Sequence, residues 1–168
     1  NNVETLLDRS LDGVIDAIDA VHPKCLLLAQ CHQRQIPVIT CGAAGGQCDA
    51  TLIEIADLSR TFNDALLHQV RRNLRGNYGF PSGEDSRKKF GIAAVFSPEN
   101  IRYPQGDGCV STERPTHQPA GLRCDAGFGT VTHVTATFGL LAAGDIINRI
   151  AWSGNKEGGP GPPSGSGI

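Results

Sequence analysis

The chain has 168 residues, 39% hydrophobic and 19% charged, and its 15 Lys and Arg against 17 Asp and Glu give a formal net charge of −2. That balance excludes a disordered chain and predicts one globular domain with a core of its own; it also excludes a global field that draws in nucleic acid, so any RNA contact has to come from a local patch. No uninterrupted apolar run reaches the roughly 18 residues of a membrane span, and Asn1 to Glu4 have neither the basic start nor the apolar core of a signal peptide.

Val3, Leu6, Leu7 and Leu11 fall at helical spacing, so a short helix is predicted from Val3 to Leu11, broken by Asp12 and Gly13. Val14 to Ile18 is an apolar run suited to a buried parallel strand. Pro23 fits the first turn of a helix running to about Gln35. Ile36 to Thr40 is a second strand, and Gly42 to Gly46 a tight loop. Strand, helix, strand in this order is a βαβ unit.

Thr51 to Ala56 reads as a further strand, and Asp64 to Leu74 as a helix with Asp64 as its cap. Gly76 to Lys89 is a polar surface loop, and Ile92 to Phe96 another buried strand. Ser97 to Asp125 has Pro and Gly but no period, and loops of that length are usually functional or disordered. Phe128 to Ile150 is a long apolar helix rich in Ala, Gly and Thr, which predicts close packing against the sheet or another subunit. The expected division is a domain over 1–151 and a disordered Gly/Pro/Ser tail over 152–168.

Four features bear on chemistry. Asp16 and Asp19 lie at the carboxyl end of the first predicted strand, where open α/β sheets bind ligands. A carboxylate there can hold Mg²⁺ against nucleotide phosphates, and Lys24 can meet the same phosphates as a point charge. The alternative is an Asp that caps the following helix. Gly42 to Gln47 also ends a strand, but it has neither the dinucleotide nor the P-loop spacing and reads as a structural turn. Cys124 precedes the long helix, whose amino terminus favours a thiolate; the alternative is an inert buried thiol, and Cys109 is the other thiol of that region. Arg71, Arg72 and Arg75 on one helix, with Arg87, Lys88 and Lys89 beyond it, form either an RNA-contacting patch or a solvated face. Of the histidines only His22 lies near the predicted crevice. Cys25, Cys31, Cys41, Cys48, Cys109 and Cys124 contain no C-x-x-C pair, so reduced thiols in the cytoplasm are expected rather than a zinc ribbon or a disulfide framework.

Val14 to Asp19, His22 to Lys24, Ile36 to Thr40 and Gly42 to Gln47 resemble, in order, a stretch of the tRNA threonylcarbamoyladenosine dehydratases. Thr51 to Thr61, Val95 to Ser97, Tyr103-Pro104, Cys124 to Gly129 and Val134 to Gly139 continue the resemblance to about residue 150. That group lies in the ThiF/MoeB and ubiquitin-activating superfamily. The resemblance implies an α/β Rossmann-like fold, here incomplete at its amino terminus, with a long carboxyl-terminal helix. It also implies a homodimer, ATP with Mg²⁺, a monovalent cation (Na⁺ or K⁺), and tRNA carrying threonylcarbamoyladenosine as substrate. Asp19 resembles the superfamily's Mg²⁺- and phosphate-binding aspartate, Asp16 the first acid of the same motif, and Lys24 a basic residue of it. Cys124 resembles a cysteine before the last helix, with a covalent or sulfur-transfer role or a place in the loop wall.

The glycine-rich turn with which that family cradles ATP is not among these residues, nor is any Met, so the chain is expected to be a fragment or processed product. ATP binding by it alone is expected to be weak, and an exposed sheet edge is expected at Val14 to Ala17. The competing functions are an activating enzyme for a ubiquitin-like or sulfur-carrier protein, which typically carries a zinc C-x-x-C pair, and a non-catalytic dimerisation remnant.

Overall fold

The computed structural model describes residues 3–7, 10–82, 85, 87–105, 109–113 and 129–153. In chain order these form α1 (Val3–Leu6), β1 (Val14–Asp16), α2 (Val21–Arg34), β2 (Val38–Cys41), β3 (Glu54–Asp57), α3 (Ala65–Asn77), β4 (Ala93–Phe96), β5 (Tyr103–Pro104), β6 (Val110–Ser111) and α4 (Thr132–Ser153). The main sheet has the order β1-β2-β4-β3, parallel except for β3, which runs antiparallel to β4. The strand β5 pairs with β6 in a separate small hairpin.

Alternation along β2 divides the core in two. Val38 faces α2 and α3, where Leu28, Leu67, Val70, Leu74, Phe90 and Phe96 are buried. Ile39 and Cys41 face α4, against Val134, Phe138, Ala142 and Ile146. These four recur every fourth residue along α4 and make one stripe on the helix. The result is a three-layer α/β/α sandwich, with every residue of β2 and β4 buried as a central parallel strand requires. By length and composition α4 is also apolar enough to cross a membrane, but its buried stripe lies on the sheet.

Most predicted elements are present, with local differences. The strand expected at Thr51 to Ala56 starts at Glu54, because the Asp49 carboxylate accepts hydrogen bonds from the Thr51 N–H (2.9 Å) and hydroxyl (2.6 Å) and winds Ala50–Leu52 into a 3₁₀ turn. The first helix stops at Leu6 rather than Leu11. The second starts at Val21, so Pro23 still lies in its first turn, where a missing N–H costs nothing. The last helix runs Thr132–Ser153 rather than from Phe128 to Ile150, so Trp152 and Ser153, the first two residues of the tail predicted over 152–168, belong to the helix; Phe128 and residues 154–168 lie outside the described residues. The edge expected at β1 is present, since β1 ends the sheet and Ile15 on it is 46% exposed.

Asp57 fixes the other edge. Its Oδ1 accepts from the Ser59 N–H (2.9 Å) and hydroxyl (2.5 Å) and from the Phe90 N–H (3.0 Å), and its Oδ2 from the Gly91 N–H (2.8 Å). Burial pushes this carboxyl up, but the hydrogen bonds from Ser59, Phe90 and Gly91 outweigh it and hold it below the ordinary aspartate value. A depressed folded-state pKa gives stability that is fully present above the unfolded-state value and is lost as pH falls through the folded one. Asp57→Asn should therefore lower stability near neutral pH by about 1–3 kcal/mol through unsatisfied N–H groups. It should also flatten the loss of stability below about pH 4, and urea titrations at several pH values check both. An unchanged acid limb would show that Asp57 does not couple the fold to pH.

Candidate functional site

The carboxyl ends of β1, β2 and β4 open onto three segments: Ala17 to Ala20, Gly42 to Asp49 and Ser97 to Arg102. In an open parallel sheet this rim is where ligands bind.

On β1, Asp16 and Lys24 meet each other inside the protein. Lys24 Nζ lies 2.8 Å from Asp16 Oδ2, and both side chains are 0% exposed. The Thr40 hydroxyl donates to the same oxygen at 2.6 Å, because Asp16 and Thr40 are register partners on adjacent strands. Asp16 Oδ1 accepts from the Ile18 N–H at 3.0 Å, and Lys24 Nζ donates to the Ile18 carbonyl at 3.0 Å. Neither aspartate caps α2: its N-cap is Ala20, with no side-chain cap hydrogen bond. Asp19 is exposed, and among the described residues its carboxylate makes no hydrogen bond or ion pair. His22, in the first turn of α2, is exposed as well.

Carboxylates also hold the other two segments. Asp64 caps α3 by accepting from the Leu67 N–H at 2.8 Å, and accepts from the Ala43 N–H at 2.9 Å. Burial pushes its carboxyl above the ordinary aspartate value, against the hydrogen bonds from Leu67 and Ala43. Buried Glu99 accepts from the N–H groups of Cys48 and Asp49, each at 2.8 Å. The Gly46 N–H donates to the Gly129 carbonyl at 3.1 Å, the Arg102 N–H donates to the Gly46 carbonyl at 2.9 Å, and a His133 ring nitrogen lies 2.7 Å from the Cys48 carbonyl oxygen. Gly42 to Asp49 is thus a braced turn. Its Gln47 side chain is buried, with an amide oxygen that has no hydrogen-bond partner among the described residues.

The sequence-predicted residues therefore divide. Asp16, Asp19 and Lys24 come together at one strand end, with Asp19 facing solvent and the other two facing each other. Cys124 lies outside the described residues. Cys109 is exposed. Burial raises the Cys25 and Cys31 thiols to about 11 and also pushes Cys41 up, so these three are neutral packing groups. In the basic region Arg71 donates to the Thr61 hydroxyl, and Arg75 donates to the Pro81 carbonyl at 3.1 Å while lying over the Phe90 ring. Arg72, Arg87 and Lys89 are exposed, and Lys88 pairs with Asp85 at 2.9 Å.

Sequence reasoning missed Thr40 and Glu99, and gave Asp64 only half its role. For Thr40 a signal existed: a lone hydroxyl in an apolar strand, at the register position of an aspartate. Glu99 carried none, since an acid in a loop reads as solvated.

A family model described as the ThiF family matches residues 1–160. The chain is 38% identical over 159 residues to the tRNA threonylcarbamoyladenosine dehydratase of Escherichia coli, covering 94% of this chain and 59% of that protein. It is 44% identical over 150 residues to the protein of the same name from Haemophilus influenzae, covering 89% of this chain and 54% of that one. A crystal structure of the E. coli dehydratase in complex with ATP superposes with a TM-score of 0.74 at 34% identity, covering 94% of this chain and 55% of that one. The chain thus spans little more than half the length of these relatives.

Gly42 is the tightest point of the rim. A Cβ there would stand 2.1 Å from Asp64 Oδ2 and 3.1 Å from Leu67 Cδ1. The Asp64 carboxylate is buried and doubly bonded, so it cannot swing away. Gly42→Ala should cost about 1–3 kcal/mol, as overpacking does, and urea unfolding measures it. An unchanged midpoint would mean that Asp64 does not rest on Gly42 in solution.

Proposed function

The chain belongs to the ThiF family, and on that premise we propose that it forms part of an ATP-dependent tRNA threonylcarbamoyladenosine dehydratase. The observation that carries this reading at the site is Asp19, an exposed carboxylate without a partner among the described residues, just beyond the carboxyl end of a parallel strand. The relatives described above are named for this activity, and one is known in complex with ATP.

In the proposed reaction the carboxylate of threonylcarbamoyladenosine attacks the α-phosphorus of ATP and displaces pyrophosphate. An atom of the same modification's carbamoyl group then attacks the activated carboxyl, loses its proton and expels AMP. The oxygen of the water formally lost leaves on AMP. Adenylation turns a poor leaving oxygen into a good one, and holding both ends of the modification close supplies much of the rate.

Mg²⁺ characteristically takes one or two carboxylates and completes its shell with phosphate and water oxygens. Asp19 fits that requirement as a single carboxylate with no partner among the described residues, where no cluster of three metal-ligating side chains exists either. Mg²⁺ would neutralise phosphate charge there. For a monovalent cation, Gln47 Oε1 is a buried oxygen of suitable chemistry without a hydrogen-bond partner among the described residues, whereas Glu99 Oε1 pairs with Arg102 at 3.4 Å. Exposed Arg72, Arg87 and Lys89 are the groups proposed to meet tRNA phosphates. Cys124 stands in the proposal only as a residue that precedes α4 in the chain, with a sulfur-transfer partner as its remaining implication. A cytoplasmic location is part of the same proposal, in keeping with cysteines used as buried packing thiols rather than as a disulfide framework.

The same reading includes a homodimer. Among the outward-facing residues of α4 are apolar ones, with Leu140 73% and Ile147 61% exposed and exposed Ala136 one turn before Leu140. An apolar helix face of this kind marks an interface.

Two measurements test the proposal. In calorimetry, Mg·ATP should bind the chain, and Asp19→Ala should weaken it roughly 10-fold, about the effect of losing one charge-assisted contact. No binding to the folded chain would remove catalysis by these residues alone. In sedimentation, Leu140→Asp with Ile147→Asp should convert a dimer to a folded monomer; a parent that is already monomeric would remove the homodimer.

A further inference from the structure

The Asp16–Lys24 pair is unusual in what it holds. Burying two full charges is expensive, and well-packed apolar residues often serve stability as well or better. A pair at 0% exposure therefore calls for a local reason. Here the contacts converge on one peptide segment. The carboxylate takes the N–H of Ile18 and the ammonium takes the carbonyl of the same residue. Thr40 locks the carboxylate from the neighbouring strand.

The segment from Ala17 to Ala20 is otherwise irregular. It leaves β1 at Asp16 and enters α2 at Val21 without a side-chain cap. Ordinarily an N-cap side chain would define how such a turn enters its helix. Here the ion pair does so instead, by gripping both hydrogen-bonding groups of the residue before Asp19.

We propose that Asp16 and Lys24 are positioning residues, which fix the Ala17 to Asp19 turn through Ile18 and so aim the Asp19 carboxylate, without touching the nucleotide themselves. The part concerning nucleotide rests on the proposed function; the part concerning the turn does not. The pair's burial gives its reason: a lysine open to water would exchange its carbonyl contact for solvent, whereas a sealed one has nowhere else to donate.

The test uses the full chain and two readouts. Amide hydrogen exchange should show the Ile18 N–H protected in the parent and at least 10-fold faster in Lys24→Met, with Ile39 and Val95 in the sheet unchanged. ATP titrations with and without Mg²⁺ should show Lys24→Met weakening the Mg²⁺-dependent part roughly 10-fold and leaving the Mg²⁺-free part unchanged. Adding Asp19→Ala to that variant should cost nothing further. Should Lys24→Met not fold, Thr40→Val makes the same comparison by removing one hydroxyl, and Thr40→Ser should restore the parent behaviour.

Equal weakening with and without Mg²⁺ would make Lys24 a direct phosphate ligand and overturn the proposal. So would an Ile18 N–H whose exchange does not respond. If Asp19→Ala leaves binding in the parent untouched, the nucleotide reading of Asp19 fails, and the exchange data alone decide whether the pair holds the turn.

Discussion

A lysine and an aspartate sealed from water at the end of β1 set the terms for everything around them. Neither charge can be tolerated there alone, because an unpaired ion in that interior loses its hydration with no return. Asp16 must therefore stand at the last position of β1, on the side facing α2. Lys24 must stand in the first turns of α2 with its side chain turned inward. The register of β1 on β2 is fixed by the same demand, since a slip of one residue would carry Asp16 to the α4 face and Thr40 out of reach. Register, helix entry and the position of Asp19 are three consequences of one buried pair.

The other strand-end segments use a milder form of this device. Asp64 and Glu99 each accept two backbone N–H groups, and Asp57 does similar work at the far edge through Ser59, Phe90 and Gly91. A carboxylate between two N–H groups gives a turn rigidity that glycines cannot supply, and Gly42 is small because Asp64 needs the space. These acids are committed to backbone. Asp19 is not, and that difference separates a structural carboxylate from one available to a ligand.

The sequence showed the frame clearly and the wiring poorly. Apolar runs at β2 and β4 announced buried strands, and the apolar segment from Phe128 to Ile150 announced a long helix packed on the sheet or on another subunit, without showing which of its residues face the strands. Asp64 was readable as a cap because an acid before a periodic apolar segment has few other uses. Asp16 and Lys24 were equally visible, but as groups for a ligand. Chain position places them at one strand end without saying whether either points inward, and inward orientation follows only once α2 is docked on the sheet. The turn at Ala50–Leu52 escaped for a related reason, because Asp49 competes locally with a strand pattern that is otherwise adequate.

Among the described residues β1 ends the sheet, which leaves the rim at Asp19 open on one side. A ligand at Asp19 has the braced turn from Gly42 to Asp49 on one flank, across β2. On the other flank lies the open side of β1, where no strand pairs with it among the described residues and Ile15 is exposed. A phosphate chain is held best when N–H groups and cations close around it from more than one direction. The residues described here supply an aimed carboxylate and one wall. On the proposed reading, a nucleotide at Asp19 gains hold from any group that closes the free side of β1, and the internal bracing of the Ile18 turn keeps Asp19 in place with that side open.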